Sequence, residues 1–336
     1  MQTKRAAQTK LASWLAVIWL ALLHVHVMLL PAEAADQRPA QPADAAYRFE
    51  NTSPAWQQNA GPRVILHRYV SPYVQRGSME PFETLVRTDG FKFDWVDVKL
   101  TAEVLDSADI LVVANPYLKG GRLDYRNFST LEAPSVYSDD EIAMIHQWVD
   151  EGGALLVLAD HSPFAGGAIK LMNAFGYTPM TGFAIHRKSL ASWIMTDVDF
   201  RREGSGDQVG SLAAHPITDG KLGRARIDHF FTFGGQAVIP SSTATSLLNL
   251  PSDFESILTF DLQGDFDTAL RIDASGFSQG AVEEVGRGRI AFFGETGAFT
   301  AQYNRNGTAF GLSVPEADQN ADFVLSVLRW LVRYEP

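Results

Sequence analysis

The chain has 336 residues, 46% of them hydrophobic and 20% charged, enough apolar material for a sizeable core and too much for global disorder. Its formal net charge of −11 disfavours nucleic acid and anionic membrane surfaces as partners. The lack of any cysteine excludes disulfides, a thiol nucleophile, thiolate metal ligands and anchoring through a lipidated cysteine.

In chain order the first element is a leader. Lys4, Arg5 and Lys10 precede an apolar run over residues 11–30, and Ala32-Glu33-Ala34 presents small residues where a signal peptidase cuts. A signal peptide over 1–34 is therefore expected. The competing reading is an uncleaved N-terminal anchor, because the run is long enough to span a bilayer. Cleavage takes three of the 28 cations and one of the 39 anions, leaving a net charge of about −13. A polar, Ala/Pro/Gln-rich stretch follows, and residues 35–60 read as a disordered linker. The remaining length suits one domain over 61–334.

The first half of that domain alternates strand and helix. Residues 63–67 form a short apolar strand, and 78–88 a helix with Phe82, Leu85 and Val86 on one face and Gly90 as its stop. Residues 91–98 alternate as a second strand, 101–107 read as a short helix, and 109–114 are an unbroken apolar strand. Strands of that kind belong in a parallel sheet covered on both faces. Residues 120–136 form a long loop without periodicity, long enough for a lid or rim.

Ser138-Asp139-Asp140-Glu141 is a capping box; Ile142, Ile145 and Val149 make the buried stripe of its helix, and Gly152 ends it. The strand 154–159 then runs into Asp160-His161. Ser162 as cap and Pro163 in the first turn predict another helix directly after them, closed by Gly176. From about 177 to 285 the pattern changes to short strands and Gly-rich loops, a β-rich insertion. Residues 268–293 include a hairpin turned at Gly286-Arg287-Gly288, and 318–333 form a final amphipathic helix.

The segments ADILVVANP (108–116), WVDEGGALLVLADHSP (148–163), HPITDG (215–220), GRIAFFGETGAF (288–299) and NADFVLSVLRWLVR (320–333) together resemble the class I glutamine amidotransferase-like superfamily. More narrowly they resemble a secreted bacterial branch of it of unknown function. The resemblance covers most of residues 61–334. It implies an α/β, flavodoxin-like fold: a mostly parallel sheet with helices on both faces, plus the β-rich elaboration. It also implies that the strand before Asp160 matches the one that delivers the nucleophilic cysteine in amidotransferases. Here Asp160-His161 stand in that position, so glutaminase chemistry is out of reach.

In an open α/β sheet, ligands sit beyond the carboxyl ends of the strands. Asp160 and His161 follow one apolar strand and Glu295 follows another, 290–294, so all three are expected on one edge. Two carboxylates and an imidazole can run general acid/base chemistry or hold a divalent metal. Adjacent Asp-His is not a recognised ligand spacing, however, and no motif demands a cofactor. Ser162, His215, Gly294 and Thr296 complete the expected ligand-binding rim. Gly276-Phe277-Ser278-Gln279-Gly280 matches a nucleophile-elbow pattern, but a strand follows it and all histidines precede it, so it reads as a hairpin.

Two readings of function follow. The first is an exported, periplasmic or secreted binding or accessory module that holds a small polar ligand or glycan, or a cell-envelope protein partner. The second is an extracytoplasmic hydrolase, metal-dependent or not, with Asp160, His161 and Glu295 as catalytic groups. Neither calls for nucleic acid or for stable membrane insertion apart from the leader.

Overall fold

The computed structural model describes residues 41–336 apart from 72–73, 75, 118–133, 163, 165, 189–195, 259–268 and 305. The expected signal peptide and most of the 120–136 loop lie outside the described residues. Among those described, no helix is long and apolar enough to cross a membrane.

The first half alternates as its periodicity requires: β1 (Arg63–His67), α1 (Arg76–Thr88), β2 (Lys92–Val96), α2 (Ala102–Asp106), β3 (Ile110–Ala114), α3 (Asp139–Asp150), β4 (Ala154–Leu158) and α4 (Ile169–Ala174). The described part of the insertion is strands joined by loops and turns. They are β5 (Thr178–Pro179), β6 (Phe183–His186), β7 (Val198–Arg201), β8 (Val209–Leu212), β9 (His229–Thr232), β10 (Val238–Ile239), β11 (Thr245–Asn249), β12 (Phe254–Leu258), β13 (Leu270–Asp273) and β14 (Ser278–Val285). The chain then returns through β15 (Gly288–Phe293), a small hairpin of β16 (Ala301–Tyr303) and β17 (Ala309–Gly311), and α5 (Asn320–Leu331).

One large mixed sheet organises the domain. Its first five strands lie in the order β2-β1-β3-β4-β15 and are all parallel. Beyond β15 the insertion extends the sheet through β14, β11 and β8, each antiparallel to its predecessor, and then through β7 and β9. A separate antiparallel sheet, β13-β12-β6, stands beside it.

Strand residues alternate between two cores, as a pleated sheet dictates. Val64, Leu66, Val112 and Leu156 pack with Phe82 and Leu85 of α1 and Phe323 and Val327 of α5. Ile65, Leu111, Val113 and Leu155 pack with Leu105 of α2, Ile145 and Val149 of α3, and Leu171 of α4.

The capping box at α3 is formed. The Ser138 hydroxyl accepts the Glu141 N–H at 3.3 Å, and a Glu141 carboxylate oxygen accepts the Ser138 N–H at 2.9 Å. Ser138→Ala should cost about 1 kcal/mol in urea unfolding; an unchanged midpoint would mean that the box contributes nothing to α3.

Two segments depart from expectation. Helix α4 does not begin at Ser162: a 3-10 turn over Gly166–Ala168 comes first, and Ala168 at its N-cap offers no side-chain bond. Tertiary contacts override the local signal. The Ser162 N–H donates to the Gly182 carbonyl, and Gly167 presses on the Pro116 carbonyl, where a Cβ would lie 2.1 Å from the oxygen. In addition, the expected linker is held to the domain from Ala43 onward. Ala43 bridges to Gln302, the Asp44 N–H donates to the Ala301 carbonyl, and Asn51 and Ala55 donate to the Asp89 carboxylate.

Candidate functional site

Parallel pairing brings the carboxyl ends of β3, β4 and β15 to a single edge, with Leu158 in register with both Ala114 and Phe293. Asn115, Asp160-His161 and Glu295-Thr296 emerge there side by side. Asn115 takes a left-handed conformation, φ 44°, which asparagine tolerates better than most residues. Its side-chain oxygen accepts the Asp160 N–H at 3.0 Å and the Thr296 hydroxyl at 2.8 Å, tying the three strand ends together. Gln236, from the insertion, donates to the Ala159 carbonyl at 2.6 Å and accepts the Thr181 N–H at 2.9 Å.

Within this frame the ionisable groups are largely committed. An Asp160 carboxylate oxygen accepts the His161 N–H at 2.7 Å. The His161 Nδ1 lies 2.7 Å from the Ser162 carbonyl, which can only accept, so Nδ1 carries a proton and, in the neutral ring, Nε2 has the lone pair. That Nε2 is 3.9 Å from the Asp160 carboxylate, too far for a direct hydrogen bond. The imidazole lies flat on Phe183, ring centres 4.6 Å apart. The Asp160 and His161 side chains are 17% and 16% exposed.

Glu295 is 3% exposed, and its two oxygens accept the N–H groups of Gly297 and Ala298, each at 2.6 Å. It caps the turn Gly297–Phe299 from inside the protein. Burial, and then the neighbouring Asp160 charge, hold its carboxyl well above the usual range. Burial raises Asp160 as well, against the opposing pull of His161.

The other residues expected on the rim have separate fates. Ser162 is buried, its N–H donating to the Gly182 carbonyl. Gly294 abuts the Gln236 carbonyl, where a Cβ would lie 2.4 Å from the oxygen, so it serves close backbone packing. Thr296 is engaged with Asn115.

His215 does not join them. Strand β8 runs antiparallel to β4 and β15, so the loop that follows it reaches the opposite end of the sheet. There His215 packs edge-on to Trp330, and burial together with the charge of Arg289, at the start of β15, lowers its pKa to about 4. The six residue steps from Arg289 to Glu295 put about 20 Å between the two ends.

Sequence reasoning missed Asn115 and Gln236. Asn115 carried a signal, a polar residue directly after an unbroken apolar strand and before Pro116. Gln236 carried none. Ser278, in the elbow-like motif, opens β14 and donates to the Gly280 carbonyl at 2.8 Å; the motif is not the expected hairpin, because the strands it joins, β13 and β14, lie in different sheets. Among the described residues, the set with metal-ligand spacing includes none of these rim residues: donor atoms of His186, Asp207 and Asp253 all fall within 4.8 Å of one another.

Neither a protein family nor a curated protein matches the chain at the level of sequence. Among solved structures it is similar to the N-terminal domain of mmIFT52, with 13% identity, 80% of this chain and 96% of that chain covered, and a TM-score of 0.48. A cytoplasmic protein from Salmonella typhimurium LT2 follows at 12% identity, 80% and 98% coverage and a TM-score of 0.45. A ThuA-like protein from Bacteroides uniformis is similar at 12% identity, 86% and 96% coverage and a TM-score of 0.43.

Proposed function

We propose that the chain is an exported, non-amidotransferase binding or accessory module on a flavodoxin-like, doubly wound domain, holding a small hydroxyl-rich ligand such as a glycan at the carboxyl edge of β4 and β15. The parallel order β2-β1-β3-β4-β15 and the two helix-bearing cores support the fold reading. The observation that carries the functional reading is the engagement of Glu295. A catalytic acid or base must present an oxygen to the substrate, whereas Glu295 is only 3% exposed and each of its oxygens is turned to a backbone N–H, of Gly297 or Ala298. What the rim offers is an acceptor pair, the Asp160 carboxylate and the His161 Nε2 lone pair, backed by the Phe183 ring. Such a pair suits ligands that donate hydroxyl protons, and a chain of net charge −11 disfavours anions. A cell-envelope location and partner fit the expected leader.

A thermal-shift screen of the purified protein over neutral sugars, anions and divalent ions tests this. The expected result is a rise in Tm with at least one neutral sugar or polyol that is lost in Asp160→Ala, with the sugar recovered intact. Cleavage of the sugar, or a shift that persists in the variant, would move the activity elsewhere.

A further inference from the structure

The insertion brings together three side chains that the rim chemistry does not use. His186 ends β6 and Asp253 immediately precedes β12; the antiparallel ladder pairs His186 with Phe254, and the Arg187 N–H donates to the Asp253 carbonyl at 2.9 Å. The backbone therefore fixes these two residues beside each other. Asp207 arrives from the loop between β7 and β8. The three side chains grade from inside to outside: His186 is 3% exposed, Asp253 33% and Asp207 64%. One buried nitrogen with two more exposed carboxylates beside it is a donor set with an entry path.

We propose that His186, Asp207 and Asp253 form a divalent transition-metal site, with zinc as its best-matched ion. Imidazole nitrogen and carboxylate oxygen are both first-rank zinc ligands, and three protein donors leave a fourth position for water or a ligand group. In a tetrahedron with bonds of about 2.1 Å, donor atoms stand about 3.4 Å apart. The 2.6 Å contact between His186 Nε2 and Asp253 must open by less than an ångström, and the widest separation, at most 4.8 Å, must close by somewhat more. Rotation of two partly exposed carboxylates supplies both movements, while the buried imidazole stays in place against the edge of Phe254.

The cluster already recruits a cation. The Lys188 ammonium donates to Asp207 at 2.8 Å from a side chain that is 72% exposed. An exposed pair of this kind contributes little, so a divalent ion displaces it at small cost. The imidazole must also change tautomer. The Lys188 N–H now points at Nδ1 from 3.3 Å, which leaves the proton on Nε2 facing Asp253. Metal on Nε2 moves that proton to Nδ1 and gives up this one long backbone contact.

Zinc titration of EDTA-treated, dialysed protein by calorimetry tests the site, with cobalt(II) substitution as a spectroscopic readout of geometry. The expected result is one zinc per chain and the intense visible bands of tetrahedral cobalt. Asp207→Asn should weaken zinc at least tenfold while leaving the metal-free Tm unchanged, because its side chain is exposed, and Lys188→Gln should tighten it. Substoichiometric zinc, or an affinity untouched by Asp207→Asn, overturns the site. Using Asp207 rather than His186 keeps the test clear of misfolding, since the imidazole is part of the buried β6–β12 contact.

Discussion

Asp89→Ala should destabilise the protein by about 3–5 kcal/mol, the largest effect we expect from one substitution. Asp89 is fully buried at the end of α1 and is paired with Arg329 of α5, itself 1% exposed. Arg329 Nε donates to one Asp89 oxygen at 2.7 Å and a second guanidinium nitrogen to the other; the remaining donors reach the Leu222 carbonyl at 2.7 Å and the Ser53 carbonyl at 2.6 Å. Asn51 and Ala55 also donate to Asp89, and Arg224 lies 3.6 Å away. Removing the carboxylate strands a buried guanidinium, and it takes away the acceptor of Asn51 and Ala55 in the N-terminal segment. The double variant Asp89→Ala/Arg329→Met should be less damaged than the two single costs predict, since no lone charge remains. Urea unfolding of the four proteins decides this; a cost below about 1 kcal/mol for Asp89→Ala would show that the network is not what fastens the N-terminal segment.

The second large effect is a pH dependence carried by Asp160 and Glu295. Both carboxyls are raised in the folded protein, so the folded state binds protons more tightly than the unfolded chain. Their contribution is therefore greatest below the unfolded values of 3.8 and 4.5 and is lost as pH rises toward the folded ones. Every tenfold difference in proton affinity is worth about 1.4 kcal/mol. Carboxylates lowered by partners, such as Glu284 beside Arg289, change stability in the opposite direction. The informative quantity is thus the difference between a variant and the parent. Asp160→Asn removes the charge that pushes Glu295 upward, so its stability relative to the parent should climb steadily from pH 4 to pH 8. A difference that is flat or falling across that interval would show that Asp160 is not held above its unfolded value and does not push Glu295 upward.

The legible parts of this protein are those set by local sequence. The Ser138–Glu141 box, the stripe Ile142, Ile145 and Val149, and the strands 110–114 and 154–158 each declare themselves through caps and periodicity. The convergence of Asp160 and Glu295 was legible too, because parallel strands send their carboxyl ends to a common edge. What escaped is what strand order and register decide. His215 lies at the opposite end because β8 enters the sheet antiparallel to β4 and β15, and nothing near His215 encodes that. Ser162 failed as a cap because Ser162 and Gly167 are claimed by contacts with Gly182 and Pro116. Gln236 clamps β4 from a segment some 75 residues away, and His186 meets Asp253 only through the β6–β12 ladder. Sequence spacing holds no trace of either meeting.

In the proposed function, the edge formed by Asp160 and His161 receives a neutral, hydroxyl-rich ligand and leaves it intact. Calorimetric titration of the best neutral sugar from the thermal-shift screen into the parent protein, His161→Ala and Asn115→Ala tests it most directly. His161→Ala removes an acceptor, and Asn115→Ala unties the strand ends without touching the carboxylate. The expected result is at least a tenfold loss of affinity in both variants, with the sugar unhydrolysed after prolonged incubation with the parent. Affinity unchanged in both variants, or turnover of the sugar, would contradict it.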